Sequence, residues 1–78
     1  MNFYEWKRQR QVDELWARFC FCWLSRHLMP RWVYLHVINH IHDELYWLGY
    51  VILNAHPNAT GTRVANGWQI AKAPSLIF

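Results

Sequence analysis

Residues 31–54 read RWVYLHVINHIHDELYWLGYVILN and carry the spacing of one long amphipathic helix. Apolar side chains recur at alternating intervals of four and three residues, which places them along one face of a helix. These side chains are Tyr34, Ile38, Ile41, Leu45, Leu48 and Ile52. A helix with one apolar side buries that side against another element, so the pattern predicts a core-forming helix from about residue 31 to 54.

The opposite face of this predicted helix is polar and aromatic. It carries His36, His40, Asp43, Trp47 and Tyr50, and Trp32 extends it toward the start of the helix. Trp and Tyr are among the residues most enriched at binding hot spots, and folding does not require them on an outward face. We therefore interpret these six residues as the candidate partner-binding site.

A second predicted helix precedes this one, from about residue 3 to 28. Asn2 suits the N-cap position, because Glu5 follows three residues later in the manner of a capping box. An apolar arc then runs along the helix: Val12, Leu15, Trp16, Phe19, Cys22 and Trp23. Met29-Pro30 breaks the pattern, since the residue before proline is disfavoured in a helix and proline suits the first helical turn. The short connection predicts an antiparallel helical hairpin with facing apolar seams.

The last third of the chain predicts a small β-hairpin and an apolar tail. Asn66-Gly67 favours a type I′ turn, so we expect two short strands within residues 62–71. A lone hairpin is marginal in water, so Val64, Trp68 and Ile70 are expected to pack on the helices. The tail, residues 73–78, is expected to pack on this domain or on a partner. Phe21 falls within the polar stripe of the first predicted helix, so it is either covered by the tail or used for binding. The expected fold is thus a single, α-dominant, small α+β domain over 1–78.

The aromatic content predicts a partner surface. The chain has 78 residues with six Trp, four Tyr and four Phe, and a domain of this size buries only about 60% of the surface that its unfolded chain exposes. Some rings must therefore lie on the surface, where they favour contact with another protein or with a second copy of this chain.

Catalytic chemistry is not indicated. Ser25 and Ser75 have no obvious base, and Cys20 and Cys22 lie in an apolar stretch, which raises the pKa of a thiol. The three glycines are isolated, so there is no phosphate-binding loop. We predict that the chain is not an enzyme and requires no cofactor.

The histidines raise the alternative of a metal site. His36, His40 and Asp43 recur at i, i+4 and i+7, so they could approach a Zn²⁺ ion from one side. A complete site would need a fourth ligand from elsewhere, and no His-Glu-x-x-His motif is present. We interpret these residues as a polar face, with zinc binding as the alternative.

The basic segment near the start of the chain predicts a different alternative. Lys7, Arg8 and Arg10 lie beside Trp6, and such a segment can hold phosphates and stack a base. The formal net charge of the chain is only +3, and nearby carboxylates dilute the local field. Nucleic-acid binding through this segment is therefore the second hypothesis.

Together these features predict a small protein-binding module that blocks its partner by steric occlusion. Small size, many aromatic rings and no catalytic apparatus are typical of phage-encoded inhibitors of host machinery, anti-defence proteins included. A self-associating structural protein is the third hypothesis. No apolar run approaches the ~20 residues that span a bilayer, and a basic segment stands where a secretion signal would be apolar, so we expect a cytoplasmic location.

Overall fold

The computed structural model describes residues 2–73 and shows two helices followed by a small antiparallel sheet. The elements are α1 (Phe3–Leu24), α2 (Arg31–Trp47), β1 (Tyr50–Asn54), β2 (Val64–Ala65) and β3 (Trp68–Lys72). The predicted α-dominant α+β class and the helical hairpin are confirmed. Residues 74–78 of the predicted tail lie outside the described residues.

The ends of α1 follow from local chemistry. The Glu5 amide donates to Asn2 Oδ1 at 2.8 Å, so Asn2 caps the helix as predicted. The helix ends at Leu24 rather than near residue 28, because Ser25 leaves helical geometry and its hydroxyl donates to the Phe21 carbonyl. A single 3₁₀ turn, Arg26–Leu28, continues to the extended residue before Pro30, and α2 follows.

The predicted end of the second helix is wrong. It stops at Trp47 instead of near Asn54, and Gly49 adopts a φ of +90° that a helix cannot contain. The next five residues form β1, in which Val51 and Ile52 are β-branched and suit a strand. Pairing with β3 satisfies their backbone groups, so tertiary contacts override the helical period of the sequence.

The predicted β-hairpin is present with narrower bounds. Asn66 and Gly67 have φ values of +57° and +81°, as a type I′ turn requires, and they join β2 to β3. The sheet order is β1-β3-β2, so β3 is the central strand. The third strand, β1, was not predicted, and it supplies the additional pairing that stabilises an otherwise marginal hairpin.

One hydrophobic core joins the hairpin and the sheet. Its buried residues are Val12, Leu15, Trp16, Phe19, Cys22, Ile41, Leu45 and Ile52. Ile52 is buried as predicted, although it reaches the core from β1 rather than from α2. Trp68 packs edge-on against Phe19 and Trp23, with ring centroids 5.8 and 5.4 Å apart, and Ile70 also packs on the core.

Candidate protein-binding surface

The outward side of α2 carries a line of exposed side chains, which we call the α2 strip. Its members lie on the side opposite the buried Ile41 and Leu45: Trp32, His36, Asn39, His40, Asp43 and Trp47. Trp32 is 74% exposed and Trp47 is 88% exposed. The structure therefore places five of the six predicted partner-binding residues on one surface.

Tyr50, the sixth predicted residue, does not belong to the α2 strip. It is the first residue of β1 and is half-buried against α1. Gln9 Nε2 donates to the Tyr50 hydroxyl at 3.0 Å, and the Arg63 guanidinium lies 5.9 Å from the centre of its ring. Tyr50 therefore connects the sheet to α1, and this separation follows from the early end of α2.

One histidine of the α2 strip, His40, has a local partner. His40 Nε2 lies 2.8 Å from Glu44 Oε1, one helical turn away, while His36 and Asp43 are exposed. Within residues 2–73 no three His, Cys, Asp or Glu side chains come together in a way that could hold a metal ion. The alternative zinc set of His36, His40 and Asp43 is thus not assembled as a site.

An open groove runs beside the α2 strip between the two helices, and we call it the helical groove. Its apolar half encloses about 520 Å³, and its walls include Ala17, Phe21, Cys22, Met29, Val37 and Ile41. Its polar half encloses about 380 Å³, and Trp47 is one of its lining residues. Arg18 borders both halves, so the two depressions adjoin.

Phe21 is the exposed ring of the apolar half of the helical groove. Its side chain is 73% exposed, although it lies beside the buried Cys22. Its position within the polar stripe of α1 is a signal that the sequence contains. Met29 and Val37 were not predicted as site residues, because their role in the groove depends on how the two helices pack.

A second exposed cluster lies at the start of α1, and we call it the N-terminal cluster. It contains Phe3, Tyr4, Trp6, Lys7, Arg8 and Arg10, all of them exposed. The rings of Phe3 and Trp6 are stacked with centroids 6.2 Å apart, and the Arg10 guanidinium lies 5.2 Å from the Trp6 ring. The exposed rings and cations have the composition that single-stranded nucleic acids bind.

The end of β3 extends this basic surface. Arg8 and Lys72 line one depression of about 440 Å³ together with the half-buried Tyr50. Lys72 was not among the predicted nucleic-acid residues, because only the fold brings β3 to the first turns of α1. The structure therefore adds one cation to the three that the sequence indicated.

Neither cysteine has the properties of a nucleophile. Burial raises the pKa of the Cys20 thiol and of the Cys22 thiol above their ordinary value of 9.0. The reactive thiolate is therefore less populated at neutral pH than in an exposed cysteine. Both thiols are free of disulfides.

In residues 2–73, neither helix combines the length and the apolarity needed to cross a membrane. Comparison of the chain with models of known families, with curated proteins and with solved structures found no match.

Proposed function

We propose that this chain is a small, non-enzymatic protein-binding module whose contact surface is the α2 strip with the adjoining helical groove. The observation that supports it best is the exposure of Trp32 and Trp47, at 74% and 88%, on a helix whose opposite side is committed to the core. A buried indole removes roughly 150–250 Å² from water, worth several kcal/mol at about 25 cal/mol per Å². The fold leaves this free energy available for binding.

The two parts of the surface are continuous. Trp47 belongs to the α2 strip and also closes the polar half of the helical groove. A protein that covers Trp47 can therefore extend toward the apolar half and reach Phe21. The chain would then cover a broad face of that partner and inhibit it by steric occlusion. We extend the proposal to inhibitors of host machinery of the phage type, anti-defence proteins among them.

The test compares two double variants that each remove two exposed rings. Trp32→Ala with Trp47→Ala changes the α2 strip, and Phe3→Ala with Trp6→Ala is the matched control in the N-terminal cluster. Tagged proteins are used to capture partners, with quantification by mass spectrometry and affinities measured on the captured protein. Because truncating a hot-spot residue costs about 2 kcal/mol or more, we expect the first variant to bind at least 100-fold more weakly.

The control variant should retain the affinity of the unchanged chain. Both double variants should keep nearly the same melting temperature as the unchanged chain, since the four rings are 49–88% exposed. Normal capture by the Trp32/Trp47 variant would show that the surface has been placed wrongly.

Nucleic-acid binding through the N-terminal cluster is the second candidate. It is favoured by Lys72, which lines one depression with Arg8 and so adds a fourth cation to the three that the sequence indicated. Phosphates are attracted to such a cluster, and exposed rings beside it can stack bases.

A mobility-shift titration with a single-stranded oligonucleotide at two salt concentrations tests this candidate. Affinity should fall steeply with salt, and Arg8→Ala with Lys72→Ala should reduce the slope by more than Arg31→Ala, which removes an exposed cation from α2. Binding that is equally weak in all three proteins would eliminate the candidate.

A further inference from the structure

The α2 strip is symmetric about its own midpoint. Trp32 and Trp47 are equally distant along the chain from the point between Asn39 and His40, and His36 and Asp43 are also equally distant from it. At a rise of 1.5 Å per residue, the two indoles lie about 22 Å apart along the helix. A second chain related by a twofold axis at this midpoint, with its helix antiparallel, would place each position of the strip opposite its counterpart.

We propose that the α2 strip binds a second copy of this chain, with the two α2 helices antiparallel about that axis. The proposal rests on the proposed function, which assigns the strip to protein contact, and it names the partner. Trp32 then faces the partner's Trp47, His36 faces the partner's Asp43, and Asn39 faces the partner's His40. Each contact occurs twice.

The three contacts are chemically complementary. Two indoles meet at each end of the interface, an imidazole meets a carboxylate, and an amide meets an imidazole. His40 Nε2 already contacts Glu44, which leaves Nδ1 for the partner's Asn39. A parallel arrangement in the same register would instead place Asp43 beside the partner's Asp43 and would align the two helix dipoles unfavourably.

A single chain cannot make these contacts. His36 and Asp43 lie on the same exposed face but about 10 Å apart along the helix, too far for a hydrogen bond. Antiparallel pairing brings each His36 to the partner's Asp43, so the strip is complementary to itself.

The exposed rings supply much of the area that such a contact needs. Two copies contribute four indoles, which together bury roughly 600–1,000 Å² when covered. Stable protein interfaces bury about 1,200–2,000 Å² in total. The exposed Leu35 and Tyr46 flank the strip and add apolar surface to the same contact.

A charge-exchange experiment tests the pairing itself. Asp43→Arg places Arg opposite His36, and His36→Asp places Asp opposite Asp43, so each variant alone should dimerise at least 100-fold more weakly than the unchanged chain. Mixed together, they form one original His36–Asp43 contact and one new Arg–Asp contact. The mixture should form a heterodimer with an affinity within about tenfold of the original.

Sedimentation of the full chain measures the dissociation constants, and native mass spectrometry with one tagged variant identifies the heterodimer. Glu5→Arg is the matched control, because it reverses an exposed carboxylate on α1 outside both the strip and the helical groove and should leave dimerisation unchanged. Thermal melts confirm that each variant is folded. Because the strip residues are exposed, the melting temperature of each variant should stay close to that of the unchanged chain.

Three outcomes would overturn the dimer: a monomer at several hundred micromolar, dimerisation of both single variants as strong as the original, or a mixture that stays monomeric. These results are separable from failure of the proposed function. A monomeric chain whose Trp32/Trp47 variant still loses a captured protein keeps the strip as a binding surface for a different protein. A monomeric chain whose Trp32/Trp47 variant captures everything that the original does would overturn both proposals.

Discussion

Replacing Gly49 by alanine should destabilise the protein, and the sign of the effect tests the fold itself. Gly49 lies between α2 and β1 with a φ of +90°. If the helix continued through this position to Asn54, as the periodicity of the sequence indicates, alanine would be stabilising by about 1 kcal/mol, because it has the higher helix propensity. A helix that continues to Asn54 and a chain reversal at Gly49 therefore predict opposite changes in the free energy of unfolding.

The size of the effect follows from the backbone alone. A Cβ atom added at Gly49 would have no heavy atom within 4 Å, so steric contact with the rest of the protein does not contribute. The remaining cost is that of a left-handed backbone for an L-residue, about 1–2 kcal/mol. For a domain of this size, 1 kcal/mol corresponds to roughly 4–8 °C in melting temperature.

Urea denaturation followed by tryptophan fluorescence measures the change. Chemical synthesis of the chain allows D-alanine at position 49 as the control, because a D-residue adopts positive φ readily and should be at least as stable as glycine there. A Gly49→Ala variant that is more stable than the original would refute the chain reversal at this residue, and the assignment of β1 with it.

Other residues give further predictions. Leu45→Ala should cost about 2–5 kcal/mol in urea denaturation because the side chain is fully buried, whereas Leu53→Ala, at an exposed strand position, should cost far less. Arg63→Lys should destabilise by about 1 kcal/mol, since lysine cannot reproduce the contacts of the guanidinium with α1, and a melting temperature equal to the original would contradict this. Burial raises the pKa of Cys22 above 9.0. Burial and the nearby Cys22 charge also raise the pKa of Tyr34 above 10.0, while the Arg26 charge acts to lower it. The unfolded chain then loses these protons first, so denaturation at a series of pH values should show stability falling as the pH rises above about 9.

The helical hairpin could be predicted from the sequence because its signals are local. Asn2 and Glu5 mark the start of α1, and Met29-Pro30 marks the reversal between the helices. The apolar period then selected the buried side of each helix, since only that side can be removed from water. These features require no knowledge of distant contacts.

The end of α2 could not be predicted from periodicity, because Leu48 and Ile52 continue the helical spacing into β1. The two positions are four residues apart, and an even spacing also fits one face of a strand, so the same apolar residues fit both structures. Gly49 followed by β-branched residues was the available signal. It decides the structure only when β3 is present as a pairing partner, which is a long-range contact.

The candidate site also combines residues that local sequence patterns indicate with residues that only long-range contacts bring together. The α2 strip depends on the period of one helix, and the sequence therefore indicated Trp32, Trp47 and their neighbours. The helical groove depends on how α1 and α2 pack, so the sequence indicated only one of its residues, Phe21, through its position among polar residues. Lys72 reaches the N-terminal cluster through the sheet, and no local pattern links it to Arg8.

A dimer and a second binding surface are compatible in this geometry. Pairing of two α2 strips covers Trp47, which closes only the polar half of the helical groove. The apolar half is lined by α1, α2 and Met29; His40 is its one lining residue from the strip, and its exposed ring, Phe21, belongs to α1. Each copy in a dimer would therefore keep the α1 side of the apolar half accessible, with Phe21 exposed, and the twofold axis would present two such surfaces at once. Two linked sites bind a multivalent partner more tightly than either groove alone, so in a dimer occlusion would act through the Phe21 side of the two grooves while the strips are occupied by each other.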